Sequence, residues 1–136
     1  MAIDAFPEKA LFSHSIGGMR PFSEMVVELL SIAAPGIEEI TSGVTVSFEE
    51  KIEHEGKKEK LLELWDETTK RLDRLFPKIQ VGDFQKEHLA FGQYPGTVRS
   101  AILYFIDNEI HHRGQAFVYL RSLGIEPPLF YDRVQE

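Results

Sequence analysis

The chain has 136 residues, 43% hydrophobic and 27% charged, and 22 acidic against 15 basic side chains give a net charge of −7. That size suits one domain, residues 1–136, around one apolar core, and the acidic balance, with no Lys/Arg-rich stretch free of Glu or Asp, works against a nucleic-acid partner. The absence of cysteine excludes disulfides and thiolate ligands within these residues, no apolar run reaches the ~20 residues of a membrane span, and Met1-Ala2-Ile3-Asp4 lacks the features of a signal peptide, so a cytoplasmic protein is expected.

Residues 1–19, with Pro7 and Gly17-Gly18, show turn signals without periodicity and read as an extended lead-in. Pro21 suits the first turn of a helix, and Phe22, Met25, Val26, Leu29, Leu30 and Ala33 recur at three- and four-residue spacing. A helix is therefore expected over about 21–41, with Pro35 a kink or break. Val44-Thr45-Val46 is too short and too isolated for a strand and reads as connector. Ser47-Phe48-Glu49-Glu50 has the pattern of a capping box. A second helix follows over about 48–76, weakened at Gly56, striped by Leu61, Leu62, Leu64, Trp65, Leu72 and Leu75, and stopped by Pro77. Residues 79–95 read as a long packed loop. Thr97 is a candidate N-cap for a third helix over about 97–123. Gly124, with Ile125 reaching back to Leu120 and Pro127-Pro128 beyond, ends it in a Schellman arrangement. The fold expected is all-α, with no sheet.

The densest chemistry lies in Asp107-Asn108-Glu109-Ile110-His111-His112-Arg113-Gly114-Gln115. On a helix Asn108 and His112 share a face, Glu109 shares it in part, and His111 projects about a quarter turn away. By position alone, Glu28 reads as a helix carboxylate pairing with Arg20 or Arg113, and His112 as a core histidine. His111 and His88 read as surface or interface residues, and Gly114 as a place where a neighbouring helix comes close.

The run from His111 to Gln115, with Tyr119-Leu120-Arg121 and Leu123-Gly124-Ile125-Glu126-Pro127-Pro128 after it, resembles the last helix of the DinB/YfiT-like superfamily. Gly18-Met19-Arg20-Pro21-Phe22-Ser23-Glu24 resembles the start of that family's second helix. Phe91-Gly92 and Pro95-Gly96-Thr97 resemble the loop before its fourth. The resemblance implies an up-down four-helix bundle, usually a homodimer, that binds a divalent metal through one histidine of the second helix and two, spaced i, i+4, of the fourth. Carried across position by position, those ligands fall on Glu28, Asn108 and His112. Glu28 can still serve zinc, nickel, manganese or iron, whereas the Asn108 carboxamide is a poor donor to such metals. The implied site is a degenerate one, weak or oxygen-preferring, with Glu109 as an additional ligand or base.

The family's first helix has no counterpart ahead of Ala5-Phe6-Pro7, so the resemblance implies a bundle with that helix missing or truncated. The groove left open is a second reason to expect self-association. The activity implied is a metal-dependent transferase or hydrolase acting on a small molecule. Two alternatives stand beside it: a non-catalytic member with a binding pocket, and an interaction module completed by a partner's helix.

Overall fold

The structure, a computed structural model, describes residues 1–48 and 51–132. Among these residues five α-helices and one hairpin succeed each other: α1 (Ala2–Ala5), α2 (Glu8–Ser13), α3 (Phe22–Ser42), α4 (Lys58–Leu75), β1 (Glu87–Ala90), β2 (Tyr94–Thr97) and α5 (Val98–Ser122). The long helix α3 packs against both α4 and α5 and is the spine of the molecule. One cluster of buried side chains gathers Phe6, Phe22, Leu61, Tyr119 and Leu120, and a second gathers Ile32, Ile37, Phe91, Val98 and Phe105.

The lead-in is not extended. Residues 2–13 form two short helices because Ile3, Phe6 and Leu11 each find the core, all at 2% exposure or less. Phe6 stacks on Phe22 with ring centroids 5.1 Å apart, and α1 packs against α4 and α5. The amine of Lys58 donates to the carbonyls of Asp4 at 2.6 Å and Phe6 at 2.8 Å. Apolar burial and charge-assisted hydrogen bonds together hold the N-terminus where the sequence offers no periodicity.

Helix α3 runs unbroken through Pro35. Ala34 and Ile37, on either side of it, are buried, so packing outweighs the hydrogen bond that proline removes. Helix α4 starts ten residues later than the capping-box pattern implies (58 − 48 = 10). Glu49 and Glu50 of that pattern lie outside the described residues. Glu55 and Gly56 adopt left-handed conformations, φ 55° and 63°, which no helix accommodates. The backbone amide of Lys58 is met instead by the Glu8 carboxylate at 3.0 Å, from 50 residues away.

Residues 79–97 are not a plain loop and the fold is not purely helical. A 3-10 turn at Val81–Gln85 leads into an antiparallel hairpin in which Glu87 faces Thr97 and Ala90 faces Tyr94. Its turn places Phe91 and Gly92 at φ 53° and 68°. A phenylalanine in that region is strained, and the buried Glu39 carboxylate secures it by accepting the Phe91 N–H at 2.9 Å. Glu39 also accepts the Val46 N–H at 2.8 Å, tying the 44–48 connector to the hairpin.

The ends of α5 follow from local chemistry. The Thr97 hydroxyl accepts the Ser100 N–H at 3.1 Å while the Ser100 hydroxyl accepts the Thr97 N–H at 2.8 Å. Thr97→Ala should cost about 1 kcal/mol, read as a lower urea midpoint with an unchanged slope. At the other end Gly124 is left-handed at φ 74°, and Ile125 N–H reaches the Leu120 carbonyl at 2.9 Å while Gly124 N–H reaches Arg121 at 3.0 Å, a Schellman motif. No helix among the described residues is long and apolar enough to cross a membrane.

A candidate ligand site between α3, α5 and the hairpin

Glu28 and Glu39 lie eleven residues apart on α3 (39 − 28 = 11). Eleven residues make just over three full turns, so the two carboxylates share one face about 16 Å apart along the axis. Ile32 and Gly36 occupy the turns between them. This face looks toward α5 and the hairpin, and a cavity of about 500 Å³ opens there, with Glu28 at one end and His88 at the other.

At the first end, Glu28 Oε1 lies 3.2 Å from His112 Nε2, and Oε2 accepts from the Arg20 guanidinium. Arg20 is positioned by its own backbone, whose carbonyl accepts the hydroxyl of fully buried Tyr119 at 2.8 Å. The His112 ring is fixed from behind: Nδ1 lies 2.7 Å from Gln115 Oε1 and donates to it. Nε2 therefore faces the carboxylate across a gap that suits a shared cation, either a proton or a metal ion. Two ligands with bonds of about 2.0–2.2 Å to a tetrahedral ion stand about 3.3–3.6 Å apart, slightly beyond the observed separation.

Asn108 lies one turn before His112 on the same face of α5 and is buried, and its Nδ2 has no hydrogen-bond partner among the described residues. Turning the amide over would present an oxygen instead. The donors then amount to one carboxylate oxygen whose sister oxygen is taken by Arg20, one imidazole and one carboxamide. They fit a loosely held, oxygen-preferring ion and not a tight zinc site. Among the described residues no three His, Cys, Asp or Glu side chains group around a metal position.

Burial works to raise the pKa of Glu28, but the hydrogen bonds and charges of Arg20 and His112 outweigh it, leaving the value below the ordinary 4.5. A lowered folded-state pKa means that the group stabilises the fold fully above its unfolded value and loses that contribution as pH falls through the folded one. Glu28→Gln should therefore melt below wild type at neutral pH, with the gap closing only as the pH drops below 4.5. Differential scanning calorimetry across that acid range reads the effect directly.

The other residues marked by the sequence separate. Glu109 is exposed, pairs with Arg113 at 3.8 Å and is not among the residues that line the cavity. Exposed His111 only tilts its ring over His112, with centroids 5.0 Å apart. Gly114 meets nothing within 4 Å of where a Cβ would sit, and the close approach occurs at Gly36, where an added Cβ would lie 2.3 Å from Phe105 Cζ. His88 is no surface residue. Its side chain is 13% exposed, and Nε2 stands 3.0 Å from Glu39 Oε1 but off the line required for a hydrogen bond. Sequence reasoning passed over Glu39, although its eleven-residue offset from Glu28 was a usable signal. It also passed over Tyr104, whose hydroxyl pKa is raised by burial, then by the negative charge of Glu28, then by Tyr94.

Comparison with known proteins agrees with this architecture. A DinB-like protein from Bacillus cereus ATCC 10987 superposes with a TM-score of 0.73 at 17% identity, over 96% of this chain and 86% of the other. One from Bacillus subtilis gives 0.74 at 19% identity, over 97% and 89%. At those identities the likeness is one of fold. A search of curated proteins finds no match. The profile of the DinB family matches residues 25–136, a span that includes α3 from its fourth residue, α4, the hairpin and α5. The chain belongs to the DinB family.

Proposed function

We propose that this protein binds a small organic molecule in the cavity between α3, α5 and the hairpin, with Glu28, braced by Arg20 and His112, as the polar end of the site. One observation carries the reading: a cavity of about 500 Å³ with mostly apolar walls terminates on the same carboxylate that contacts His112. Concave, largely apolar pockets of roughly 300–1,000 Å³ with a few convergent polar groups are the usual form of small-molecule sites. The test is a ligand-observed NMR screen of wild type against Ala101→Trp, which fills the cavity from its α5 wall. Hits should vanish in the variant, and hits that persist unchanged would remove the cavity from the proposal.

The 3.2 Å spacing of Glu28 Oε1 and His112 Nε2 favours a second reading, a metal-dependent transferase or hydrolase acting on a small molecule. Glu28, His112 and Asn108 would hold the ion, Gln115 would keep the His112 lone pair aimed at it, and Arg20 would hold the carboxylate. A divalent ion bound there supplies Lewis-acid activation of water or a thiol. Plasma mass spectrometry on protein purified without an affinity metal separates the readings. Stoichiometric metal that disappears in both Glu28→Ala and His112→Ala favours the enzyme, and its absence from wild type favours the binding protein.

The proposal includes a homodimer through α5. Leu103, Ile106, Ile110 and Val118 are each about half exposed and fall along one helical stripe that contains the open Gly114. Burying such a stripe against its own copy removes apolar surface from water, and glycine permits close crossing. Sedimentation should show a dimer at micromolar concentration and a monomer for Ile110→Glu; a monomeric wild type sinks the idea.

A further inference from the structure

We infer that the ligand of this cavity is a small organic cation, an amine or quaternary ammonium carrying compact apolar groups. The inference rests on reading the cavity as a small-molecule site and names the class of molecule it takes. Five aromatic rings, Phe48, Phe91, Tyr94, Tyr104 and Phe105, line the space together with the Glu28 carboxylate, and no lysine or arginine is among the described residues that line it. The face of an aromatic ring carries the negative part of its quadrupole, so several rings around one pocket attract a cation.

The cage is held in shape by the fold. Phe48 meets Phe91 at 64° and Phe91 meets Phe105 at 59°, so the rings are tilted against each other and do not close the space by flat stacking. Phe91 is set in its left-handed conformation by the hydrogen bond from its N–H to Glu39. Gly36 lets the Phe105 ring lie directly on the backbone of α3. Rigid rings lose little entropy on binding, which favours affinity.

Charge points the same way. Arg20 neutralises part of Glu28 but does not line the cavity, so the carboxylate is the charged group presented to it beside the His88 imidazole. Its field is felt within, because the negative charge of Glu28 helps to hold the Tyr104 hydroxyl above its ordinary pKa. An anionic ligand would meet that carboxylate with no lysine or arginine to receive it. A neutral ligand would gain the apolar walls alone.

The experiment compares three soluble probes of one shape by ligand-observed NMR titration: choline, neohexyl alcohol in which carbon replaces the nitrogen, and the anion tert-butylacetate. Choline should bind roughly tenfold tighter than neohexyl alcohol, a margin between those of exposed and fully desolvated cation–π sites. Tert-butylacetate should bind most weakly of the three. In Glu28→Gln the preference for choline should shrink severalfold. Tyr104→Leu, at an exposed position that does not threaten the fold, should weaken choline and leave neohexyl alcohol nearly unchanged. Neohexyl alcohol or tert-butylacetate binding as tightly as choline overturns the cation while leaving a small-molecule cavity intact. Failure of all three at millimolar concentration also overturns it, and the Ala101→Trp screen then decides separately whether the cavity binds anything.

Discussion

Replacing Gly36 with valine is expected to destabilise the protein by about 3 kcal/mol, the upper end of the usual range for overpacking a core. The new Cβ would stand 2.3 Å from Phe105 Cζ, and that ring is buried with little room to retreat. The cavity that Phe105 lines is open volume beside it. The substitution should therefore lower the melting temperature by roughly 10 °C and weaken ligand binding at the same time. A double-mutant cycle isolates the clash: in a Phe105→Ala background Gly36→Val should cost at least about 1 kcal/mol less than alone. Equal costs in both backgrounds would show that helix packing elsewhere, and not this contact, constrains residue 36.

Phe6→Ala is expected to cost about 3–5 kcal/mol, as for other fully buried phenylalanines. Phe6 is 1% exposed and stacks on Phe22, at the junction of α1 with the start of α3. Chemical denaturation measures the loss. A value below about 1 kcal/mol would mean that residues 2–13 rest on the surface and contribute little to the core. The expected large value instead makes this segment a structural part of the bundle, covering apolar surface of α3 and α5.

Helix ends that depend on near neighbours were legible in the sequence. The Thr97 cap and the Gly124 Schellman turn each close hydrogen bonds within a few residues, so their chemistry is complete in the local sequence. The start of α4 was not legible, because the group that receives its first amide, that of Lys58, belongs to Glu8. The hairpin was missed for the same reason. Its strands are four residues each and its strained turn is secured by Glu39 from a different helix. Pro35 likewise reads as a break until the packing on both sides of it is known.

The site divides along the same line. The sequence by itself determined the family, the three long helices, and the fact that Asn108 and His112 share one face, because helical periodicity and capping are local physics. It also marked Glu28 as the residue to watch. Only the tertiary structure decided that Glu28 pairs with Arg20 and not Arg113 while meeting His112, that Glu109 pairs with Arg113, and that His88, against Glu39, stands at the far end of an aromatic cavity. Periodicity says which side chains look in a common direction. What they look at is set by chain segments tens of residues away, and it is those partners that determine charge, desolvation and the shape of the space a ligand can enter.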